Sequence, residues 1–121
     1  MVVREFWRLM ATNDFFSVSD VLAPSFVLEW PQSNERIHGP KNFAQMNTEY
    51  PSQGSWTFTI NELVASESEA VTHVSVTDGT IRGDAVSFFT VKEGLIVKIV
   101  EFWPEPYTPP PNRSHLTELI T

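Results

Sequence analysis

In the stretch Gly94-Leu95-Ile96-Val97-Lys98-Ile99-Val100-Glu101-Phe102-Trp103, a carboxylate interrupts a row that is otherwise apolar. Side chains alternate along a strand, so Leu95, Val97, Ile99, Glu101 and Trp103 are expected on one face and Ile96, Lys98, Val100 and Phe102 on the other. An ionised glutamate between Ile99 and Trp103 is costly to bury without partners. It therefore belongs at a wet strand end or in a cavity that needs an acid. In an aromatic-lined cavity, desolvation would raise its pKa and let it act as a general acid or base near neutrality. Glu101 is the catalytic candidate, and Ser87 on the preceding strand is its expected polar counterpart.

Other groups offer less. His73, in Val71-Thr72-His73-Val74-Ser75-Val76-Thr77, shares a row with Ser75 and Thr77, which leaves Thr72, Val74 and Val76 for the core. A register slip of one residue would turn His73 towards Glu101 instead. His38 lies in a loop beside Arg36, and His38, His73 and His115 lack the spacing of metal ligands. Arg82 and Asp84 share a strand row without a third member. There is no glycine-rich phosphate loop and no supported Ser-His-Asp arrangement, so neither a metal nor a cofactor is expected.

The 121 residues suffice for one core, and 41% of them are apolar. Four Trp and nine Phe are a heavy load for this length, and large rings either fill a core or line a pocket. Phe6, Met10, Phe16, Trp30, Met46, Tyr50, Trp56, Phe58, Val74, Val76, Ser87, Phe89, Ile99 and Trp103 are the expected lining for a small hydrophobic or aromatic ligand. The net charge of −7, with no basic cluster, argues against nucleic acid or an anionic membrane surface as partner. With no Cys, thiolate chemistry is excluded. Arg4, Glu5 and Arg8 break the apolar run at the start of the chain, so a cytoplasmic location without a signal peptide is expected.

The elements that must position these groups are legible in the patterning. Val3, Phe6, Trp7 and Met10 recur at helical spacing. After Asn13-Asp14, a short second helix is expected from an Asp14 N-cap to Leu22, stopped by Pro24. Phe26 to Trp30 reads as a strand ended by Pro31, Gln32 to Gly39 as a loop, and Pro40 to Tyr50 as a third helix. Period-two patterning then gives strands over Trp56–Ala65, Ala70–Thr77, Ile81–Val91 and Leu95–Trp103, joined by short turns such as Asp78-Gly79 and Glu93-Gly94. Three helices before an antiparallel meander make an α+β domain over residues 1–104. Residues 105–121 form a Pro-rich arm, expected on the surface or partly disordered.

The order of elements, with Asn13-Asp14, Leu22-Ala23-Pro24-Ser25-Phe26, Gly39-Pro40 and the closing Gly-Leu-Ile-Val-Lys-Ile-Val-Glu-Phe-Trp-Pro-Glu-Pro, resembles the SnoaL-like branch of the nuclear transport factor 2-like superfamily. The resemblance implies a cone-like fold, in which a curved, mainly antiparallel sheet and three N-terminal helices enclose one apolar pocket. It also implies a homodimer through the outer face of the sheet. Activities in that superfamily include ketosteroid isomerases, polyketide cyclases, epoxide hydrolases and dehydratases. At the positions matching the isomerases' base, oxyanion-binding tyrosine and protonated acid, this chain has Trp30, Phe6 and Ser87, so steroid-isomerase chemistry is not implied. The cyclases' acid late in the sheet corresponds to the region of Glu101.

Overall fold

The computed structural model describes residues 1–120. Helix α1 spans Val2–Ala11, and its apolar stripe Val3, Phe6, Trp7 and Met10 is buried as the spacing predicts. The chain leaves α1 through Asn13, whose φ of 63° lies in the left-handed region that Asn tolerates. Its side-chain Oδ1 accepts from the Trp56 backbone N–H at 2.7 Å, and its Nδ2 donates to the Trp56 carbonyl at 2.8 Å. This clasp ties the end of α1 to the start of the meander. The expected second helix is a 3-10 helix over Phe15–Val21; Asp14 stands at its cap position without a side-chain capping bond.

Six strands form one sheet: β1 Leu22–Trp30, β2 Glu35–His38, β3 Thr57–Ala65, β4 Glu69–Thr77, β5 Arg82–Lys92 and β6 Leu95–Phe102. Helix α2, Gly39–Glu49, follows β2 with Pro40 in its first turn. The spatial order is β2-β1-β6-β5-β4-β3, antiparallel except for the β1–β6 pair. The architecture is the expected α+β arrangement of three helical segments against a mostly antiparallel sheet. The turn joining β5 to β6 has positive φ at both Glu93 and Gly94, the geometry that suits a tight hairpin.

Three expectations need correction. First, the loop over Gln32 to Gly39 contains β2, paired to β1 from Val27↔His38 to Trp30↔Glu35. Its sequence, Glu35-Arg36-Ile37-His38, has one apolar residue because an edge strand is paired on one side only. Second, strict alternation fails in β6. Thr90 pairs with Lys98 but Val91 pairs with Ile96, leaving Val97 as an inserted residue. The resulting β-bulge puts Ile96, Ile99 and Glu101 together on the buried face, while Leu95 and Val97 do not share it fully. Likewise, β1 begins at Leu22 and runs through Pro24, and its pairing with β6 is irregular between Leu22 and Val27.

The helices cover the concave face of the sheet. The aromatic load is used chiefly for mutual packing: Phe6 meets Phe89 edge-on at 5.4 Å and Phe43 at 5.9 Å, Phe26 meets Phe43 at 5.6 Å, and Trp7 meets Phe58 at 5.8 Å between centroids. The chain after β6 carries a short 3-10 turn, Pro111–Arg113, and is exposed throughout residues 103–120.

Candidate functional site

Register decides which polar groups meet on the concave face. Thr72 on β4 is the cross-strand partner of Ser87 on β5, and Ser87 is the partner of Glu101 on β6. On the far side, Leu28↔Ile99 and Glu29↔Val100 bring Trp30 of β1 level with Glu101. A polar row therefore crosses four strands in an otherwise apolar surface. Glu101, at its centre, is 7% exposed.

Every hydrogen bond to that carboxyl comes from a neutral donor. Ser87 Oγ donates to Oε2 at 2.8 Å; Trp103 Nε1 and Trp30 Nε1 donate to Oε1 at 3.0 and 3.1 Å. Lys98, the cation nearest in sequence, points to the other face and pairs with Glu29 at 3.3 Å. Burial pushes the Glu101 pKa up, and the three hydrogen bonds oppose it without prevailing. An indole N–H can only donate, whereas a serine hydroxyl can donate or accept. Protonated Glu101 can thus keep both indoles on Oε1 and turn its O–H towards Ser87. The row accommodates either charge state of the acid.

Two more polar atoms on this side are buried without a partner, Thr72 Oγ1 and Trp7 Nε1. The Thr72 side chain is next in the row after Ser87, so an unused hydroxyl lies beside the one that holds the carboxyl. Beyond the strand end, Trp103 is 37% exposed and forms the solvent side of the site. Its ring lies across Gly83 of β5, where a Cβ would come within 3.3 Å of ring carbons. Gln32 fixes its backbone, accepting from Trp103 N–H at 2.6 Å and donating to its carbonyl at 3.3 Å.

The residues expected to line a pocket separate into three groups. Phe6, Met10, Val74, Val76, Ser87, Phe89 and Ile99 are buried in the core. Trp30, Met46, Trp56 and Phe58 are half-buried, and Phe16, Tyr50 and Trp103 are exposed. Two surface concavities lie away from Glu101. One of about 360 Å³ lies at the start of α1, beside Val3, Ala70 and Gly94; one of about 260 Å³ is bordered by Asn13, Tyr50 and Trp56.

His73 is on the convex face, as its row predicts, and does not reach Glu101. Its Nε2 lies 3.2 Å from Asp84 Oδ1, which also accepts from Ser75 Oγ at 2.9 Å. Arg82 donates to Ser75 Oγ at 3.2 Å, so the Arg82/Asp84 pair also faces outward. His38 is exposed. Among the described residues, no three His, Asp or Glu side chains converge as metal ligands would. Sequence reasoning places Trp30 among the lining residues but does not foresee that its indole donates to Glu101. That bond depends on the parallel pairing of β1 with β6, elements separated by most of the chain.

The family pattern of the SnoaL-like domain matches residues 3–99. A provisionally assigned ketosteroid isomerase from Kribbella flavida is 34% identical, superimposes with a TM-score of 0.89, and aligns over 99% of this chain and 87% of its own. An NTF2-like protein of unknown function from Burkholderia xenovorans is 22% identical at a TM-score of 0.80, over 99% of this chain and 93% of its own. An epoxide hydrolase of Mycobacterium tuberculosis is 20% identical at a TM-score of 0.68, over 85% and 80% of the two chains. No curated protein sequence matches closely enough to carry an activity across. The extent of the match over residues 3–99, together with the fold, establishes that the chain belongs to the SnoaL-like domain family.

Proposed function

We propose that the row around Glu101 is the reactive part of a binding site for a small, mostly apolar ligand, and that Glu101 serves there as a cofactor-free acid/base. The observation that carries this reading is a buried carboxyl held only by neutral donors, with its pKa raised. Ionised, Glu101 takes a proton from a carbon or hydroxyl of the ligand. Protonated, it returns that proton at a second position, which ends the cycle in the starting state. Isomerisation, dehydration, cyclisation and hydrolysis all use such a transfer.

The resemblance gave the isomerases' two acidic positions to Trp30 and Ser87. Both of these side chains hydrogen-bond Glu101. One carboxyl thus stands between the places where two would be expected, which favours a single-acid mechanism over steroid isomerisation. A ligand would approach from the side of Trp103, the exposed indole, and replace its N–H on Oε1.

Native mass spectrometry of protein purified under gentle conditions tests this first, by searching for a retained small molecule. Wild type should convert that molecule, while Glu101→Gln should bind it and leave it unchanged, because Gln keeps the shape but not the proton transfer. Equal turnover by both proteins would refute the role of Glu101.

A second, non-catalytic reading concerns the other face of the sheet. Val64, Val71, Phe88 and Val100 are successive cross-strand partners from β3 to β6, and Phe102 packs edge-on against Phe88 at 6.1 Å. We propose that this apolar row pairs two copies of the chain, face to face.

A further inference from the structure

The indole of Trp103 sits as a bound molecule would sit. Its residue follows the end of β6, on the face of Glu101, and its ring N–H donates to Oε1 at 3.0 Å. The floor beneath the ring is smooth. Gly83, Ala85 and Ser87 are alternate residues of β5 on the concave row, opposite Val76, Val74 and Thr72 of β4. A glycine inside a strand marks a place where something approaches the backbone closely. Here the Trp103 ring makes that approach, with two ring carbons 3.3 Å from where a Gly83 Cβ would stand.

Trp103 is anchored by its backbone rather than by its ring. Gln32 holds both its N–H and its carbonyl, and Pro104 fixes the chain beyond. The ring keeps one hydrogen bond and is 37% exposed, so a rotamer change can lift it without unpairing a strand. Trp30, the other indole on Oε1, belongs to the paired strand β1 and stays in place. At the inner end of the shelf, Thr72 is fully buried beside Ser87, and its hydroxyl has no partner. Native interiors pair nearly all such groups, so an unused hydroxyl at this end is what a ligand-facing position leaves.

We propose that the shelf of Gly83, Ala85 and Ser87 is a slot for a flat aromatic ring bearing an N–H or O–H donor, with Trp103 as its internal stand-in. The proposal rests on the ligand-binding reading of the Glu101 row and names the class of ligand. Such a ring takes the indole's position over Gly83 and gives its donor to Oε1, beside the N–H of Trp30. The class follows from the chemistry of the stand-in. A flat face uses a floor that has no side chain at Gly83, and Oε1 is served there by donors alone. A ring with only acceptors would set its lone pairs against the ionised carboxylate.

The test removes the stand-in and supplies its ring from solution. By titration calorimetry, Trp103→Ala should bind indole about tenfold more tightly than wild type does. It should also prefer indole about tenfold to 1-methylindole, which keeps the flat ring but lacks the donor. Adding Gly83→Val to Trp103→Ala should abolish the binding by filling the slot. In wild type, saturating indole should move the Trp103 indole N–H signal in NMR spectra to that of a solvent-exposed ring, a measurement independent of the variants' stability. Equal affinity of Trp103→Ala for the two probes, or no gain over wild type, would overturn the slot. The acid/base role of Glu101 would then still stand, because turnover by wild type and Glu101→Gln reads it separately. Selective indole binding with equal turnover by those two proteins would keep the slot and refute the acid/base role.

Discussion

The sheet presents a serine–carboxylate pair twice, once on each face, with opposite results. On the concave face Ser87 donates to Glu101; on the convex face Ser75 donates to Asp84. Each serine is on a strand adjacent to its acid. Glu101 is buried under two indoles, and its pKa goes up because desolvation exceeds the help of three hydrogen bonds. Asp84 is partly open to water, and its pKa goes down because the Ser75 hydroxyl, with further help from His73 and Arg82, outweighs desolvation. A serine hydroxyl alone therefore does not set the character of a carboxylate. The depth of the face does, and a cation helps only on the side that water reaches.

This contrast can be broken from either side. The largest effect is expected for Glu101→Ala, which leaves two indole N–H groups and a serine hydroxyl facing a cavity; it should cost about 3 kcal/mol by urea denaturation. Ser87→Ala should cost about 2 kcal/mol, since a bond to a charged or buried acceptor is lost, and it should push the Glu101 pKa further up.

Glu101→Gln should act in the opposite direction. The folded pKa of Glu101 lies above its unfolded value, so ionisation works against folding as pH rises through the folded pKa. Gln can accept from both indoles and donate to Ser87 with no charge to bury. At pH 8 it should be about 1 kcal/mol more stable than wild type, and the gain should vanish towards pH 4. The smallest effect belongs to Asp84→Asn. Its pair with His73 is solvent-screened, and the change at pH 7 should stay within about 0.5 kcal/mol. The sign there is reversed: the depressed pKa stabilises the fold above the unfolded value, and the contribution is lost as pH falls through the folded one.

Much of this arrangement is legible in the chain, and the parts that are not have identifiable physical causes. The helical stripe of Val3, Phe6, Trp7 and Met10 depends on local periodicity, and so does the hairpin turn at Glu93-Gly94. The turn alone, with Lys92 opposite Leu95, would set Ser87 against Val100, so the opposition of Ser87 and Glu101 depends on the bulge at Val97. That bulge has no residue signature, because Leu95-Ile96-Val97 is apolar throughout and fits either face. Strand β2 is concealed by the polarity that suits an edge. The Trp30 bond to Glu101 spans 71 positions and requires knowing that β1 lies beside β6. The aromatic excess suggests a pocket, yet Phe6, Phe26, Phe43 and Phe89 are used mainly to pack against one another. Composition records how many rings there are, not whether their faces meet.

Carbon-13 NMR titration of the side-chain carboxyls of Glu101 and Asp84 in one sample tests the central claim most directly. Glu101 should titrate above the ordinary 4.5, and Asp84 should titrate below the ordinary 3.8. A Glu101 that loses its proton at or below the ordinary value would mean that neutral donors overcome burial on the concave face. The carboxyl would then be a structural anion rather than an acid held ready for proton transfer.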